Sequence, residues 1–229
     1  MPDPRDRGLP PLPPHLDPRG RRRASRAASD RKVSRYGRRH RALYAAGALA
    51  TVISLALLLF SGRFDLSVGG ISALCAVAGA RAINAFGLEA AIPLALLIGI
   101  ACGAVNSFVI FRLKVNSFVA TLGSGYAFAG IAAVLSGQSP VSIQDLALSD
   151  YLNLALAGVP AVIYLYAAIV AAAFWFSHTV AGRSLFAVGA NEEAARYAGV
   201  PVTLVSVLPF LITGACCGVA GLVTVGYNA

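Results

Sequence analysis

Charge is what this sequence has least of. Only 13% of its 229 residues are charged, whereas 57% are hydrophobic, and an average soluble domain has about 25% charged residues. A chain with so few charges cannot cover a water-facing surface of ordinary composition. The composition therefore excludes a soluble globular protein and indicates a membrane protein.

Residue patterns for catalysis and metal binding are also missing. The sequence contains no GxxxxGK[ST], HExxH or GxSxG, and its cysteines and histidines form no CxxC pair or cluster. We expect no catalytic residue, metal or cofactor, and the cysteines are interpreted as apolar filler. A membrane-embedded enzyme is disfavoured because no two titratable residues share a membrane depth. The cysteines are Cys75, Cys102, Cys216 and Cys217.

Long apolar stretches take the place of these features. Six of them can be recognised in the sequence, and each approaches the roughly 20 residues that a helix needs to cross a bilayer. None shows the alternation of a barrel strand, so the prediction is an all-α, polytopic membrane helix bundle of about six transmembrane helices. The stretches are 42–60, 66–86, 90–111, 118–135, 159–176 and 202–225.

The first 41 residues differ in character from the rest. They carry 13 basic and four acidic residues, a net charge of +9, together with the sequences PPLPP and RGRRR. Such a segment has too few aliphatic residues for a core, so 1–41 is predicted to be a disordered basic tail near anionic lipid heads. A nucleic-acid partner is not expected. The transmembrane domain is assigned to 42–229.

Small residues and charges inside 42–229 suggest how the spans are arranged. Two GxxxG spacings, Gly99 with Gly103 and Gly214 with Gly218, permit close helix contact, although an Ala/Gly-rich chain also produces them by chance. The basic residues 112, 114, 183 and 196 indicate cytoplasmic loops. Counting back puts the basic tail outside, so either one segment is re-entrant or a helix is missing before 42.

A polar stretch, 182–202, separates the last two apolar segments. Asn191 is predicted to cap a helix of about two turns, which Gly199 stops. Glu192 and Arg196 stand four residues apart on one face of that helix. A helix this short is marginal alone, so it is expected to dock on another element or protein. A plain capped connector is the alternative.

Three stretches in order resemble a known family. FDLSVGGISAL from Phe64, VNSFVATLG from Val115 followed by GQSPV, and GRSLFAVGANEEAARYAGV from Gly182 are similar to segments of permease subunits of bacterial ribose/xylose-type sugar ABC importers. The resemblance covers 44–229. Members of that family have further helices at both ends, and Arg63 with Phe64 replaces a usual Gly-Ile, so a truncated or rearranged member is expected.

The resemblance implies a permease subunit in the bacterial cytoplasmic membrane. It would form a path for a monosaccharide or related small polar solute and work with a separate ABC ATPase, an extracytoplasmic sugar-binding protein and a second permease subunit, in a homo- or heterodimer. A secondary transporter and a non-functional permease fragment are the alternatives. The implied ATPase-coupling loop contains Gly189, Asn191, Glu192, Glu193, Ala194, Arg196 and Gly199.

Polar residues near span ends are candidates for the translocation path. Asp65 is the one acid held tightly between two apolar spans, and an acid at membrane depth is a functional hypothesis by default. Capping the second span while pairing with Arg63 is its structural alternative, as capping is for Asn116. The candidate path residues are Asp65, Ser67, Gly69, Asn116 and Thr121.

Overall fold

The structure is a computed structural model that describes residues 58–143, 148, 155–156 and 159–227, all within one compact unit, Ala46–Ala229. The predicted tail 1–41, nearly all of the predicted span 42–60 and most of 144–158 lie outside the described residues. Apart from one very short strand pair, the described elements are helical, as predicted.

Seven helices follow one another in the described part of the chain. Four of them, α1, α2, α3 and α7, are long and apolar enough to cross a membrane. Two strands of two residues, β1 and β2, pair antiparallel with Ala155 opposite Pro160. The helices are α1 Val68–Phe86, α2 Leu88–Ser107 with a π-helical extension Phe108–Arg112, α3 Ser117–Ser136, α4 Ala161–Ser177, α5 Val180–Ala190, α6 Glu192–Tyr197 and α7 Val202–Tyr227; the strands are β1 Ala155–Leu156 and β2 Val159–Pro160.

The two GxxxG spacings pack against each other. A Cβ on Gly99 would collide with the carbonyl oxygen of Gly214, and a Cβ on Gly214 with that of Gly99. Gly103 lies in the same way against Phe210, and Gly218 against Ala95. The antiparallel helices α2 and α7 therefore touch backbone to backbone along about two helical turns, which confirms that these spacings serve close helix contact.

Helix α1 packs against α2 and α7 on one side and against α3 on its other side. Gly70 of α1 meets the backbone of Gly125 in α3, so these helices also approach closely. A buried apolar cluster fills the space between α1, α2, α3 and α7 and includes three of the four cysteines, in agreement with a packing role. Its buried members are Ile71, Leu74, Cys75, Cys102, Phe128, Ala132 and Cys217.

The fifth predicted span, 159–176, corresponds to α4, which forms a bent pair with α5. From Ile163 to Ala190 the chain is apolar enough to count as one span, but α4 and α5 meet at 72°. The hydroxyl of Thr179 caps α5 by accepting a hydrogen bond from the Gly182 N–H at 3.2 Å. The prediction of a polar stretch with a single short helix over 182–202 was incomplete, because its first half belongs to α5.

Candidate functional site

Helix α6 is built as its sequence predicts. The side chain of Asn191 accepts a hydrogen bond from the Ala194 N–H at 2.9 Å. At the other end, Gly199 has φ +82°, and the N–H groups of Gly199 and Val200 bond to the carbonyls of Arg196 and Ala195, each at 3.0 Å. These are the two bonds of a Schellman motif, in which glycine ends the helix at no steric cost.

One face of α6 is packed against its own chain. Ala195 is 5% exposed and forms a buried cluster with Val188 of α5 and Val202 of α7. The predicted docking residues Glu193 and Ala194 are exposed on the remaining surface. Ala195 was missed in the sequence, because its partners Val188 and Val202 lie on two other helices and no local pattern links the three.

A second tie to the bundle runs through Arg63. Its guanidinium makes an ion pair with Glu192 at 3.2 Å and lies 4.5 Å from the ring centre of Phe111, and Glu192 also bonds Arg196 at 3.2 Å. Burial lowers the pKa of Arg63 and the charge of Glu192 raises it; arginine nevertheless stays cationic. The pairing of Arg63 with Asp65, part of the structural alternative for that acid, was wrong: within the described residues the ion pair of Arg63 is with Glu192.

The ion pair borders a water-accessible cleft of about 730 Å³. The cleft lies where α2 ends, α3 begins and α6 crosses, and its cationic lining groups are Arg63, Lys114 and Arg196. We call this end of the bundle, which also carries Arg112, the basic end. The remaining lining residues are Gly62, Ile110, Phe111, Val115, Asn116, Ser117, Glu192 and Thr203.

Four polar side chains are buried behind this cleft. Ser67 donates its N–H and its hydroxyl to Oδ1 of Asp65 at 2.8 and 2.5 Å, and Nδ2 of Asn106 donates to the Ser67 hydroxyl at 2.7 Å. The hydroxyl of Thr121 accepts from the Leu66 N–H at 3.0 Å. Asp65, Ser67, Asn106 and Thr121 are each at most 3% exposed, and we call them the polar cluster.

The polar cluster contains three of the five predicted path residues. Burial raises the pKa of Asp65, and the hydrogen bonds from Ser67 act in the opposite direction. Asn116 lies elsewhere, because it caps α3 by accepting from the Phe118 N–H at 2.9 Å and lines the cleft. Gly69 is exposed with no atom near its added Cβ, so Gly70 makes the close approach instead.

Asn106 is the member of the polar cluster that sequence reasoning missed. With Ser107 it forms a polar pair inside the predicted apolar stretch 90–111, and that pair was the available signal. Within the described part of the chain its Oδ1 is buried without a hydrogen-bond partner. An unpaired buried acceptor costs free energy. The bond to Ser67 and the packing of α2 hold the amide in place despite this cost.

Apolar spanning helices, close glycine contacts and buried polar groups at one end define an integral membrane protein of the polytopic helical class. The family model described as branched-chain amino acid transport system / permease component matches residues 41–228. The chain belongs to this permease family. A family of transport permeases agrees with the expectation that the chain is not an enzyme.

Curated relatives point in the same direction. The Autoinducer 2 import system permease protein LsrD of Photorhabdus luminescens is 35% identical over 183 residues, which cover 76% of this chain and 55% of that protein. The protein of the same name from Escherichia coli K12 is 34% identical over 184 residues, 76% of this chain and 56% of its own. The chain thus spans about half the length of these relatives. No solved structure matches the chain.

Proposed function

We propose that this chain is a permease subunit of an ATP-binding-cassette importer, in which α6 docks on a separate ATP-hydrolysing subunit. The observation that carries this proposal is the construction of α6. It is capped at both ends, it is fixed to the bundle through Ala195 and Glu192, and it leaves Glu193 and Ala194 exposed at the basic end. A plain connector needs no such combination of a fixed inner face and an open outer face.

The orientation of the bundle supports this assignment. Arg63, Lys114 and Arg196 come from three separate parts of the sequence and meet at one cleft. Basic residues at span ends favour the cytoplasmic side of the membrane. In our proposal the basic end therefore faces the cytoplasm, where a partner that hydrolyses ATP is located, and the membrane is the bacterial inner membrane.

The polar cluster is our candidate for part of the solute path. Hydroxyl and amide groups of Ser67, Asn106 and Thr121 suit an uncharged polar solute, since they offer hydrogen bonds without fixed charge. Cargo of this class, a monosaccharide or related small solute, also fits relatives that are named for the import of autoinducer 2. An extracytoplasmic binding protein and a second permease subunit complete the proposed importer.

A titration of ATPase binding tests the proposal. The chain, purified in detergent, is titrated with a cognate ATP-hydrolysing subunit. Replacing Ala194 with Trp or Glu193 with Lys should weaken binding by about 5- to 150-fold, which corresponds to about 1–3 kcal/mol at the centre of an interface. Thermal stability should change little, because both side chains are exposed.

Glu89→Lys is the matched control. Glu89 is also an exposed acid in the first turn of a helix, but it begins α2 at the opposite end of the bundle. Its reversal should leave ATPase affinity unchanged. If Ala194→Trp and Glu193→Lys fold normally and bind as well as the unmodified chain, α6 is a connector and the docking role is wrong.

A further inference from the structure

Arg63 occupies an unusual place between α6 and the polar cluster. Its guanidinium bonds Glu192 in α6 and lies over the ring of Phe111 at the end of α2. The side chain is only 20% exposed, so most of its length is enclosed by the chain. Arg63 therefore brings its own segment, α6 and the end of α2 into contact, although the three are distant in the sequence.

The backbone continues from Arg63 directly into the polar cluster. Asp65 is two residues further on, and Leu66 and Ser67 follow with their N–H groups bonded to Thr121 and Asp65. Each residue from 65 to 67 thus takes part in a hydrogen bond with a member of the polar cluster. Only Phe64 lies between Arg63 and Asp65, so a displacement of Arg63 is separated from the polar cluster by a single residue.

A second contact joins the same two parts of the chain. Gly189, at the end of α5, lies against the carbonyl of Phe60, and the rings of Phe60 and Phe186 are 4.7 Å apart. Residues 60–63 therefore contact both α5 and α6, one on each side of the junction between these two helices. The apolar contact holds α5, whereas the ion pair of Arg63 ties α6 to 60–63 in addition to the packing of Ala195 on Val188 and Val202.

We propose that Arg63 is a positioning residue that holds α6 to the segment 61–67, so that movement of α6 is transmitted to Asp65 and Ser67. This inference rests on the proposed docking function of α6 but adds the route by which docking reaches the buried polar groups. The ion pair with Glu192 sets the position of α6, and the contact with Phe111 keeps Arg63 from turning towards water.

Distance measurements between two spin labels test this role in the full chain. The labels are placed on Cys residues that replace Phe64 and Tyr197, which are 54% and 86% exposed, after the four native cysteines have been replaced. The unmodified ion pair should give one narrow distance distribution. Arg63→Gln should broaden it at least twofold, whereas Arg63→Lys, which keeps the positive charge, should broaden it less.

Arg196→Gln is the matched control for this experiment. Arg196 also bonds Glu192 at 3.2 Å, but that bond lies within α6 and does not cross to the bundle. Its loss should leave the distribution narrow. A general loss of structure would instead broaden the distances in both variants, and Arg63→Lys would broaden them as much as Arg63→Gln.

ATPase affinity gives the second readout. Arg63→Gln should weaken ATPase binding about tenfold, because α6 is no longer presented in one position, and Arg63→Lys should weaken it less. A narrow distribution in Arg63→Gln, or full affinity despite a broad one, overturns the positioning role. Absence of ATPase binding to the unmodified chain contradicts the proposed function alone, and the distance result still decides whether Arg63 positions α6.

Discussion

Substituting Gly99 with Ala probes the contact on which the bundle depends most. The added methyl group would meet the carbonyl of Gly214 and approach the backbone of Gly218 at 3.2 Å. Both neighbours are main-chain atoms inside a helix, so neither can rotate away as a side chain would. The helices α2 and α7 have to separate, and each turn of their contact then loses part of its van der Waals attraction.

The loss of stability caused by Gly99→Ala is judged against the same substitution at a second glycine, Gly123. Gly123 also lies within a spanning helix, but nothing approaches its added Cβ within 4 Å. Both substitutions gain the same helix propensity, so the comparison isolates the cost of overpacking, about 1–3 kcal/mol. We expect the upper half of that range for Gly99, and hence a midpoint about 5–10 °C below that of the Gly123 variant.

Thermal unfolding in detergent, followed by size-exclusion chromatography of a fluorescent fusion, provides the assay. Gly214→Ala should behave like Gly99→Ala, because the two added methyl groups press on the same contact from opposite helices. The double variant should cost less than the sum of the single ones, since one separation of the helices accommodates both. Equal midpoints for the Gly99 and Gly123 variants would refute the backbone contact.

Three further predictions concern the site. Gly199→Ala should destabilise α6 by about 1 kcal/mol because of the positive φ, and Gly199→Asn less; hydrogen exchange of 192–198 measures this. Burial raises the pKa of Asp65 above its ordinary 3.8, so the folded chain binds this proton more tightly than the unfolded chain does. The free energy of unfolding should therefore fall as pH rises from 3.8 through the raised pKa, and Asp65→Asn should remove this dependence. Thr121→Val leaves the Leu66 N–H unpaired and should lower the free energy of unfolding by about 1–3 kcal/mol, whereas Thr121→Ser should not.

Local chemistry allowed much of the fold to be predicted from the sequence. The spans follow from apolar length, and helix ends follow from residues such as Asn116, Asn191 and Gly199, whose side chain or lack of one acts within a few positions. The coupling of Glu192 to Arg196 is of the same kind, because both sit on one short helix. In each case the interacting groups are near neighbours in the chain.

Contacts between distant positions could not be found in this way. Arg63 and Glu192 are separated by 129 positions, and Ser67 and Asn106 by 39. Which acid Arg63 meets depends on how α2, α5 and α6 pack together, and Asp65 was the nearer partner in sequence. The same dependence on packing explains why Gly69 and Asn116 were assigned to the path, although one is exposed and the other caps α3.

The π-helical turn that ends α2 determines where a residue can be deleted from this helix. In Phe108–Arg112 the ladder runs from Leu113 N–H to the Phe108 carbonyl, one residue more per ring than in an α-helix. Deleting one residue there would tighten the turn to an α-helical one and leave the line of contact between α2 and α7 unchanged. A deletion earlier in α2 would rotate that line by about 100° and break it. We therefore expect the deletion of one residue outside the contacts of Phe111 to be tolerated better in Phe108–Arg112 than earlier in α2.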